Sequence, residues 1–217
     1  MIPSTVSRQG FPRLPQPEGR VPLTMELASY FRSIKPDLQA WDPVYFSLPR
    51  KPSAVAVILF DDGQSDVSVL FIRRSTRLTS HRGQIGFPGG RLEAGDASPR
   101  DTALRETFEE IGLNPSKVEV LGRGDPTPAL DGSLVHPIVV KTSASINELT
   151  INPAEVSEVF LVPLDMLFST RKKKFKFNLF GCWRASFLYD CGSILVWGLS
   201  AEILAKLGIE SPLSTTE

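Results

Sequence analysis

The chain has 217 residues, and its 24 basic side chains balance 24 acidic ones, so the formal net charge is zero. Such a chain is not expected to bind nucleic acid through a broadly basic surface, because that binding relies on many Lys and Arg contacts with phosphates. Apolar residues make up 41% of the sequence, which suffices for a hydrophobic core and excludes disorder of the whole chain.

The cysteines and the apolar runs indicate in which cellular compartment the protein is expected. Cys182 and Cys191 are too few for a disulfide framework and lack the spacing of a metal site. No apolar run is long enough to span a membrane, and none follows the N-terminal arginines as in a secretory signal. The chain also ends without a Ser-Lys-Leu signal. We therefore expect an intracellular protein without a membrane partner, in the cytoplasm, a mitochondrion or a peroxisome.

Prolines punctuate the N-terminal part of the chain, since half of the 18 prolines lie in the first 52 residues. Residues 1–22 show no apolar periodicity, so they are expected to form a flexible tail. Residues 23–50 are expected to hold one helix, with Thr24 as its N-cap and Pro36 at its end, followed by a loop. This division leaves residues 51–210 as the main folded domain.

Strand and helix patterns alternate irregularly through that domain. Two apolar runs, residues 54–60 and 67–73, are joined by Asp61-Asp62-Gly63, which predicts a hairpin. Further strands are predicted at residues 118–121, 135–140, 158–162 and 194–197, and helices at residues 99–111, 164–168 and 200–207. This order predicts an α/β fold in which helices cover a mixed sheet.

The predicted helix at residues 99–111 carries clear signals at both ends. Ser98 suits the N-cap and Pro99 the first helical position, because a proline there loses no helical hydrogen bond. Asp101 lies near the positive end of the helix dipole, and Gly112 suits the C-terminal stop. The limits of this helix are therefore well defined.

The two faces of this helix differ in chemistry. At about 100° of rotation per residue, one face carries three glutamates: Glu106, Glu109 and Glu110. The opposite face carries three apolar residues, which are expected to pack on the sheet: Leu104, Phe108 and Ile111. A like-charge pair at this spacing costs only a few tenths of a kcal/mol, so the acidic face alone is compatible with simple solvation.

The turn Gly89-Gly90 before this helix favours a binding site over a solvated face. It follows an apolar strand end and exposes its backbone, so it can bring a ligand to the carboxylates. Convergent carboxylates suit a hard divalent cation such as Mg²⁺, whose remaining positions are filled by waters and phosphate oxygens. The pattern predicts a site that binds a metal and a phosphate together.

The segment from Gly90 to Leu113 resembles the Nudix box, whose pattern is G-x5-E-x7-R-E-U-x-E-E-x-G-U with U aliphatic. Six positions match in register: Arg105, Glu106, Glu109, Glu110, Gly112 and Leu113. The first acid is Asp96 instead of Glu, eight residues separate it from Arg105 instead of seven, and Thr107 replaces an aliphatic residue. The departures affect how Asp96 meets Arg105, and leave the core of the box intact.

The longer spacing is similar to that of the coenzyme A pyrophosphatase branch of the superfamily. The upstream residues that resemble the branch signature are Val69 to Ser75, Leu78, His81, Gly83, Ile85 and Phe87 to Gly90. The downstream residues that resemble it are Val135 to Pro137, Glu155 to Leu164 and Val196 to Ala201. The resemblance covers roughly residues 24–207 and leaves out the proline-rich start.

This resemblance implies a Nudix fold, an α/β/α sandwich with a central mixed β-sheet, over residues 51–210. It also implies hydrolysis of coenzyme A (CoA) or acyl-CoA, with Mg²⁺ or Mn²⁺, to 3′,5′-ADP and 4′-phosphopantetheine. Glu106 and Glu110 are the expected metal ligands, Glu109 is shared or bridging, and Arg105 is expected to hold the cluster in place. The general base is either one of these glutamates or a carboxylate outside the box, for which Glu155 and Glu158 are the candidates.

Candidate substrate-binding residues lie beside the Gly-Gly turn. Arg73 and Arg74 are expected to meet phosphates, since Arg pairs with phosphate in a two-pronged geometry, although solvation is the alternative. His81 is either a phosphate donor or a buried structural histidine, and the backbone of Gly89 and Gly90 is expected to face the substrate. The basic run at residues 171–176 is expected to be a solvated hairpin tip, and contact with the 3′-phosphate of the substrate is the alternative.

Two other functions remain open from the sequence. The same metal chemistry fits a different nucleotide, such as NADH, ADP-ribose or an oxidised dNTP, because the acidic helix does not choose the substrate. A Nudix-fold binding module without turnover is the second alternative, against which the complete glutamate set argues. The oligomeric state is not predicted.

Overall fold

The computed structural model describes residues 34–35, 48, 50–61, 67–170, 173–179 and 182–208. The predicted tail at residues 1–22 lies outside the described residues, as does most of the predicted N-terminal helix and loop. Within that region, Lys35 pairs with Arg123 through backbone hydrogen bonds of 2.8 Å in both directions.

The described residues form eleven strands, β1 to β11 in chain order: Ser53–Phe60, Ser68–Arg74, Ile85–Gly86, Gly89–Arg91, Val118–Arg123, Thr127–Pro128, Leu134–Thr142, Val156–Pro163, Lys173–Leu179, Cys182–Asp190 and Leu195–Trp197. They also form three α-helices, α1 to α3: Pro99–Ile111, Leu164–Ser169 and Gly198–Lys206. Short 3₁₀ turns lie at Pro115–Lys117 and Ile146–Glu148.

Strands β1 to β8 form one mixed sheet with β1 near its middle. β1 runs antiparallel to β2, as the hairpin prediction requires, and parallel to β7. β8 pairs with the free side of β2, and β5 pairs with β7. β3 pairs with β2 and β4 with β1, so the segment from Ile85 to Arg91 fills the gap where β1 and β2 diverge.

Helices cover both faces of this sheet. α1 packs on one face over residues such as Ala56, Ile58 and Ile138, which are fully buried. α2 and α3, together with the second sheet β9–β10–β11, cover the other face over Val57 and Phe71. The predicted α/β sandwich with a central mixed sheet is therefore confirmed. No helix among the described residues is long and apolar enough to cross a membrane.

The limits predicted for α1 are confirmed. The Ser98 side chain accepts a hydrogen bond from the backbone N–H of Asp101, and Gly112 closes the helix with φ 69°. The prediction that Phe108 packs on the sheet is wrong, because its side chain is 52% exposed. Compared with the prediction, the buried face of α1 is rotated toward Thr102, Ala103 and Thr107. Glu110 therefore lies on the buried face as well.

The second sheet corrects the prediction for the basic run. Lys173, Lys174 and Lys176 are exposed as expected, but they lie along β9 rather than at a hairpin tip. β9 pairs with β10, and neither strand was predicted. The alternation of Lys and Phe from Lys174 to Phe177 is the two-residue period of a strand, which the cluster of charges concealed.

Candidate active site

Three carboxylates converge at the edge of α1. Glu106, Glu110 and Glu155 each offer an oxygen, and these oxygens lie within 4.8 Å of one another. Glu106 and Glu110 are one helical turn apart on α1, and Glu155 belongs to the loop that precedes β8. Helical spacing thus supplies two members of the group, and a segment distant in the sequence supplies the third.

Backbone hydrogen bonds fasten the Glu155 loop to the end of α1. The N–H of Asn152 donates to the carbonyl of Glu110 at 2.9 Å, and the N–H of Ser75 donates to the carbonyl of Glu155 at 2.7 Å. The side-chain amide of Asn152 also donates to Glu155 Oε1 at 3.5 Å. The position of Glu155 is therefore set by both α1 and the end of β2.

The Gly-Gly turn lies directly against the carboxylates. The N–H of Gly89 donates to Glu110 Oε2 at 3.0 Å. A Cβ on Gly90 would lie 2.2 Å from Glu106 Oε1, so only glycine allows this approach. At Gly89, where φ is 153°, a Cβ would instead lie 2.4 Å from the carbonyl oxygen of Ala54. Both glycines are required here, for different reasons.

This difference predicts unlike effects of two alanine substitutions. Gly90→Ala is expected to keep the fold, since the Glu106 side chain can move aside, and to lower turnover about 10²-fold because a site carboxylate is displaced. Gly89→Ala forces a strained backbone against Ala54 and is expected to destabilise the fold by about 1–3 kcal/mol or more. Thermal unfolding and steady-state kinetics of both variants test this, and a Gly90→Ala variant of normal activity would contradict it.

Glu110 is the most buried member of the group, with 1% of its surface exposed. Burial raises the pKa of Glu110 to about 8, although the N–H of Gly89 and the guanidinium of Arg74, whose Nη1 lies 3.5 Å from Oε1, oppose the shift. Burial also raises the pKa of Glu106, against the effect of Arg105. The site thus holds carboxylates in surroundings that favour a compensating positive charge.

Arg105 connects the carboxylates to the loop before α1. Its Nε and Nη2 donate to the two oxygens of Asp96 at 3.0 Å each, and Nη1 donates to Glu106 at 3.0 Å and to Glu109 at 2.9 Å. Burial alone would raise the pKa of Asp96, but hydrogen bonds from Arg105, the N–H of Glu93 and the hydroxyl of Thr102 lower it. The shorter acid and the longer spacing therefore still give a two-pronged ion pair.

Glu109 lies outside the close group. Its side chain is 48% exposed and bonds to Arg105 on the outer side of α1. Its role as a shared metal ligand stays a prediction.

The two arginines at the end of β2 point to opposite faces of the sheet. Arg74 reaches Glu110 on the α1 side, whereas Arg73 bonds to Glu158 at 3.2 Å and lies over the ring of Phe160 on the other side. The structure therefore separates two residues that the sequence grouped. Glu158 is likewise on the far face, away from Glu155.

His81 lies in the loop between β2 and β3. It is exposed, has φ 56°, and its Nδ1 is 2.9 Å from Gln84 Oε1. The alternative of a buried structural histidine is therefore wrong for this residue. Its role as a phosphate donor stays a prediction.

Asn152 is the site residue that sequence reasoning missed. Its backbone N–H and side-chain amide bond to Glu110 and Glu155, respectively. The only local signal is the Asn-Pro pair before the predicted strand at residues 158–162, which indicates a turn but does not indicate what the turn contacts.

The arrangement suits a divalent cation and an anionic ligand. Three carboxylates within bonding reach of one point are the hard oxygen donors that Mg²⁺ and Mn²⁺ prefer. Nη1 of Arg74 lies 3.5 Å from Glu110 Oε1, and the side chain is partly exposed, so this guanidinium places a positive charge for an anion beside the carboxylates. Cation and anion sites are thus adjacent.

Comparison with known proteins agrees with this arrangement. The model of the NUDIX domain family matches residues 50–180, and this match includes β1 to β8, α1 and the three converging carboxylates. The chain therefore belongs to the Nudix hydrolase family. The predicted superfamily and enzyme class are confirmed, whereas membership of the CoA branch stays a prediction.

Three curated relatives illustrate the range of the family. A Nudix hydrolase named NudL from Photorhabdus laumondii is 38% identical over 64% of this chain and 75% of its own length. Nudix hydrolase 22, chloroplastic, of Arabidopsis thaliana is 31% identical over 83% of this chain and 63% of its own. Nudix hydrolase 3 of Caenorhabditis elegans is 34% identical over 63% of this chain and 64% of its own length. The chain spans less than two thirds of the length of the latter two, and its own compartment stays a prediction.

Proposed function

We propose that this protein is a metal-dependent diphosphatase that hydrolyses the pyrophosphate bond of CoA or acyl-CoA to 3′,5′-ADP and (acyl-)4′-phosphopantetheine. The proposal of metal-dependent hydrolysis rests on one observation: Glu106, Glu110 and Glu155 converge beside the backbone of the Gly-Gly turn. The choice of CoA rests on the branch signature at residues 69–90 and on the longer spacing between Asp96 and Arg105.

Glu106 and Glu110 would hold the Mg²⁺ or Mn²⁺ ion, with the Glu155 carboxylate beside them. When bound there, the ion supplies positive charge that neutralises the bridging phosphates as negative charge builds on the leaving group. The guanidinium of Arg74, whose Nη1 lies 3.5 Å from Glu110 Oε1, is the cationic group placed beside the phosphates. Arg105 fixes the direction of Glu106 through its bonds to both Glu106 and Asp96.

A carboxylate must also accept the proton of the attacking water. We assign this role to Glu155, because it belongs to a loop and is held by Asn152 rather than by an arginine. Glu158 is a weaker candidate, since its carboxylate is occupied by Arg73 on the opposite face of the sheet. General bases of this kind act within hydrogen-bond reach of the water.

The alternatives use the same centre with a different substrate. NADH, ADP-ribose and oxidised dNTPs also contain a phosphoanhydride that the cation and Arg74 would bind. A binding module without turnover fits less well, because the buried Glu110 and its neighbours Glu106 and Glu155 form a complete set of oxygen donors.

A substrate panel tests the proposal. The purified full-length chain is incubated with Mg²⁺ or Mn²⁺ and with CoA, acetyl-CoA, NADH, ADP-ribose or 8-oxo-dGTP, and the products are separated by chromatography. We expect 3′,5′-ADP from CoA and acetyl-CoA, and no product when the metal is chelated. Cleavage of NADH or ADP-ribose with CoA left intact would reject the CoA assignment, and no cleavage of any compound would favour the binding module.

A further inference from the structure

A pocket of about 500 Å³ opens on the face of β2 opposite α1. Arg73 and Arg82 contribute its basic side, and Ile85, Leu195 and Trp197 contribute apolar surface. Leu195 is 50% exposed and Trp197 is 43% exposed, although both are large apolar side chains. A concave site with apolar walls and a few charged groups is the usual form of a small-molecule site.

The two arginines of this pocket differ in their availability. Arg73 is held by Glu158 at 3.2 Å and by the ring of Phe160, so its charge is largely compensated. Arg82 is exposed, and its Nε donates to the carbonyl of Leu78. Among the described residues no carboxylate pairs with Arg82. Its two terminal nitrogens therefore remain available for a phosphate.

Backbone hydrogen bonds of Arg74 link the pocket-lining segment to the end of β2 next to the carboxylate site. The N–H of Arg74 donates to the carbonyl of Gln84 at 3.0 Å, and the N–H of Gly83 donates to the carbonyl of Arg74 at 3.1 Å. Gln84 and Gly83 line the pocket, whereas the guanidinium of Arg74 reaches Glu110 on the other face. A ligand whose pyrophosphate lies at Glu110 would have to pass the end of β2, beside Gly83 and Gln84, to reach the pocket.

We propose that this pocket binds the 3′-phosphoadenosine half of the substrate, with the base against Trp197 and the 3′-phosphate on Arg82. This inference rests on the proposed function, because it requires an adenine nucleotide with an additional phosphomonoester. The indole of Trp197 offers an aromatic face on which a nucleobase such as adenine can stack. Arg82 offers the charge-assisted pair that a phosphomonoester needs.

The kinetic test compares CoA with dephospho-CoA, which lacks only the 3′-phosphate. We expect the wild type to prefer CoA by about tenfold or more in kcat/KM, as for one hydrogen-bonded charge pair. Arg82→Ala should abolish this preference by raising KM for CoA, with dephospho-CoA unaffected. Arg100→Ala, an exposed arginine on α1, is the matched control and should behave as wild type. Equal losses on both substrates, or a preference that survives in Arg82→Ala, would overturn the inference.

A binding test separates this inference from the proposed function. Calorimetric titration of the full chain with 3′,5′-ADP and with AMP should give tighter binding of 3′,5′-ADP, and Arg82→Ala should remove the difference. If CoA is not hydrolysed but 3′,5′-ADP still binds more tightly than AMP, the assignment of the pocket is supported and the assignment of CoA as substrate fails. If CoA is hydrolysed without any effect of the 3′-phosphate, the pocket assignment fails and the activity stands. A shift of acyl-chain preference in Trp197→Ala with unchanged 3′,5′-ADP binding would assign the pocket to the acyl arm instead.

Discussion

Glu110→Gln is expected to lower kcat on the order of 10³-fold while the fold is kept, because cation-mediated charge neutralisation is worth several kcal/mol in the transition state. The amide is isosteric with the carboxylate and still offers an oxygen to the N–H of Gly89. It removes one negative charge from a group in which Glu106 and Glu155 are the remaining carboxylates. The loss should therefore appear in catalysis and in metal affinity rather than in folding.

Circular dichroism and thermal unfolding establish whether the variant is folded, and titration with Mn²⁺ measures its metal affinity. Glu119→Gln is the matched control, since Glu119 is an exposed glutamate on β5 that lies opposite Lys141 of β7, and it should leave kcat unchanged. If Glu110→Gln fails to fold, Glu106→Gln provides the same test at a less buried position. Full activity in either folded variant would reject the carboxylate group as the catalytic centre.

Without a divalent cation, the free energy of unfolding is expected to fall by about 1–2 kcal/mol as the pH rises from about 6.5 to about 8. Burial raises the pKa of Glu110 from 4.5 in the unfolded chain to about 8, so the folded state binds more protons in this interval. The stability that this proton provides is fully present below the unfolded pKa and is lost as the pH rises through 8. Glu106, whose pKa is also raised by burial, acts in the same direction.

Below pH 6.5 the titration of His136 has the opposite effect on stability. Burial lowers the pKa of His136 from 6.5 to about 4, so its contribution increases stability as the pH rises between these values. In the unfolded chain the histidine is half protonated at pH 6.5 and loses this proton as the pH rises further, so its opposing effect fades across the interval. The carboxylates then dominate the slope.

Chemical unfolding at several pH values, with and without Mg²⁺, measures this effect. Mg²⁺ should stabilise the protein more at pH 8 than at pH 6.5, because the cation displaces a proton from the site and binds only the folded state. Glu110→Gln should flatten the pH dependence and reduce the effect of Mg²⁺. A metal-free stability that does not change between pH 6.5 and 8 would mean that Glu110 is ionised throughout.

Local patterns predicted those parts of the molecule whose structure depends on nearby residues. The hairpin of β1 and β2 follows from two apolar runs around a turn, and α1 follows from a capping serine, a first-turn proline and a terminal glycine. The strand β9 was missed because a basic run was interpreted by its charge rather than by its two-residue period, and β10, which pairs with β9, was missed with it. Phe108 was misplaced because helical spacing gives the angles between residues but not which face meets the sheet.

The sequence alone determined that α1 carries a glutamate cluster after a Gly-Gly turn, since helical period and backbone freedom are properties of the local chain. The tertiary structure decided which carboxylates meet. The rotation of α1 on the sheet buries Glu110 and leaves Glu109 exposed, and the pairing of β8 with β2 brings Glu155 to the cluster. It also put Arg73 and Arg74 on opposite faces. These outcomes depend on contacts between distant segments, which local spacing does not encode.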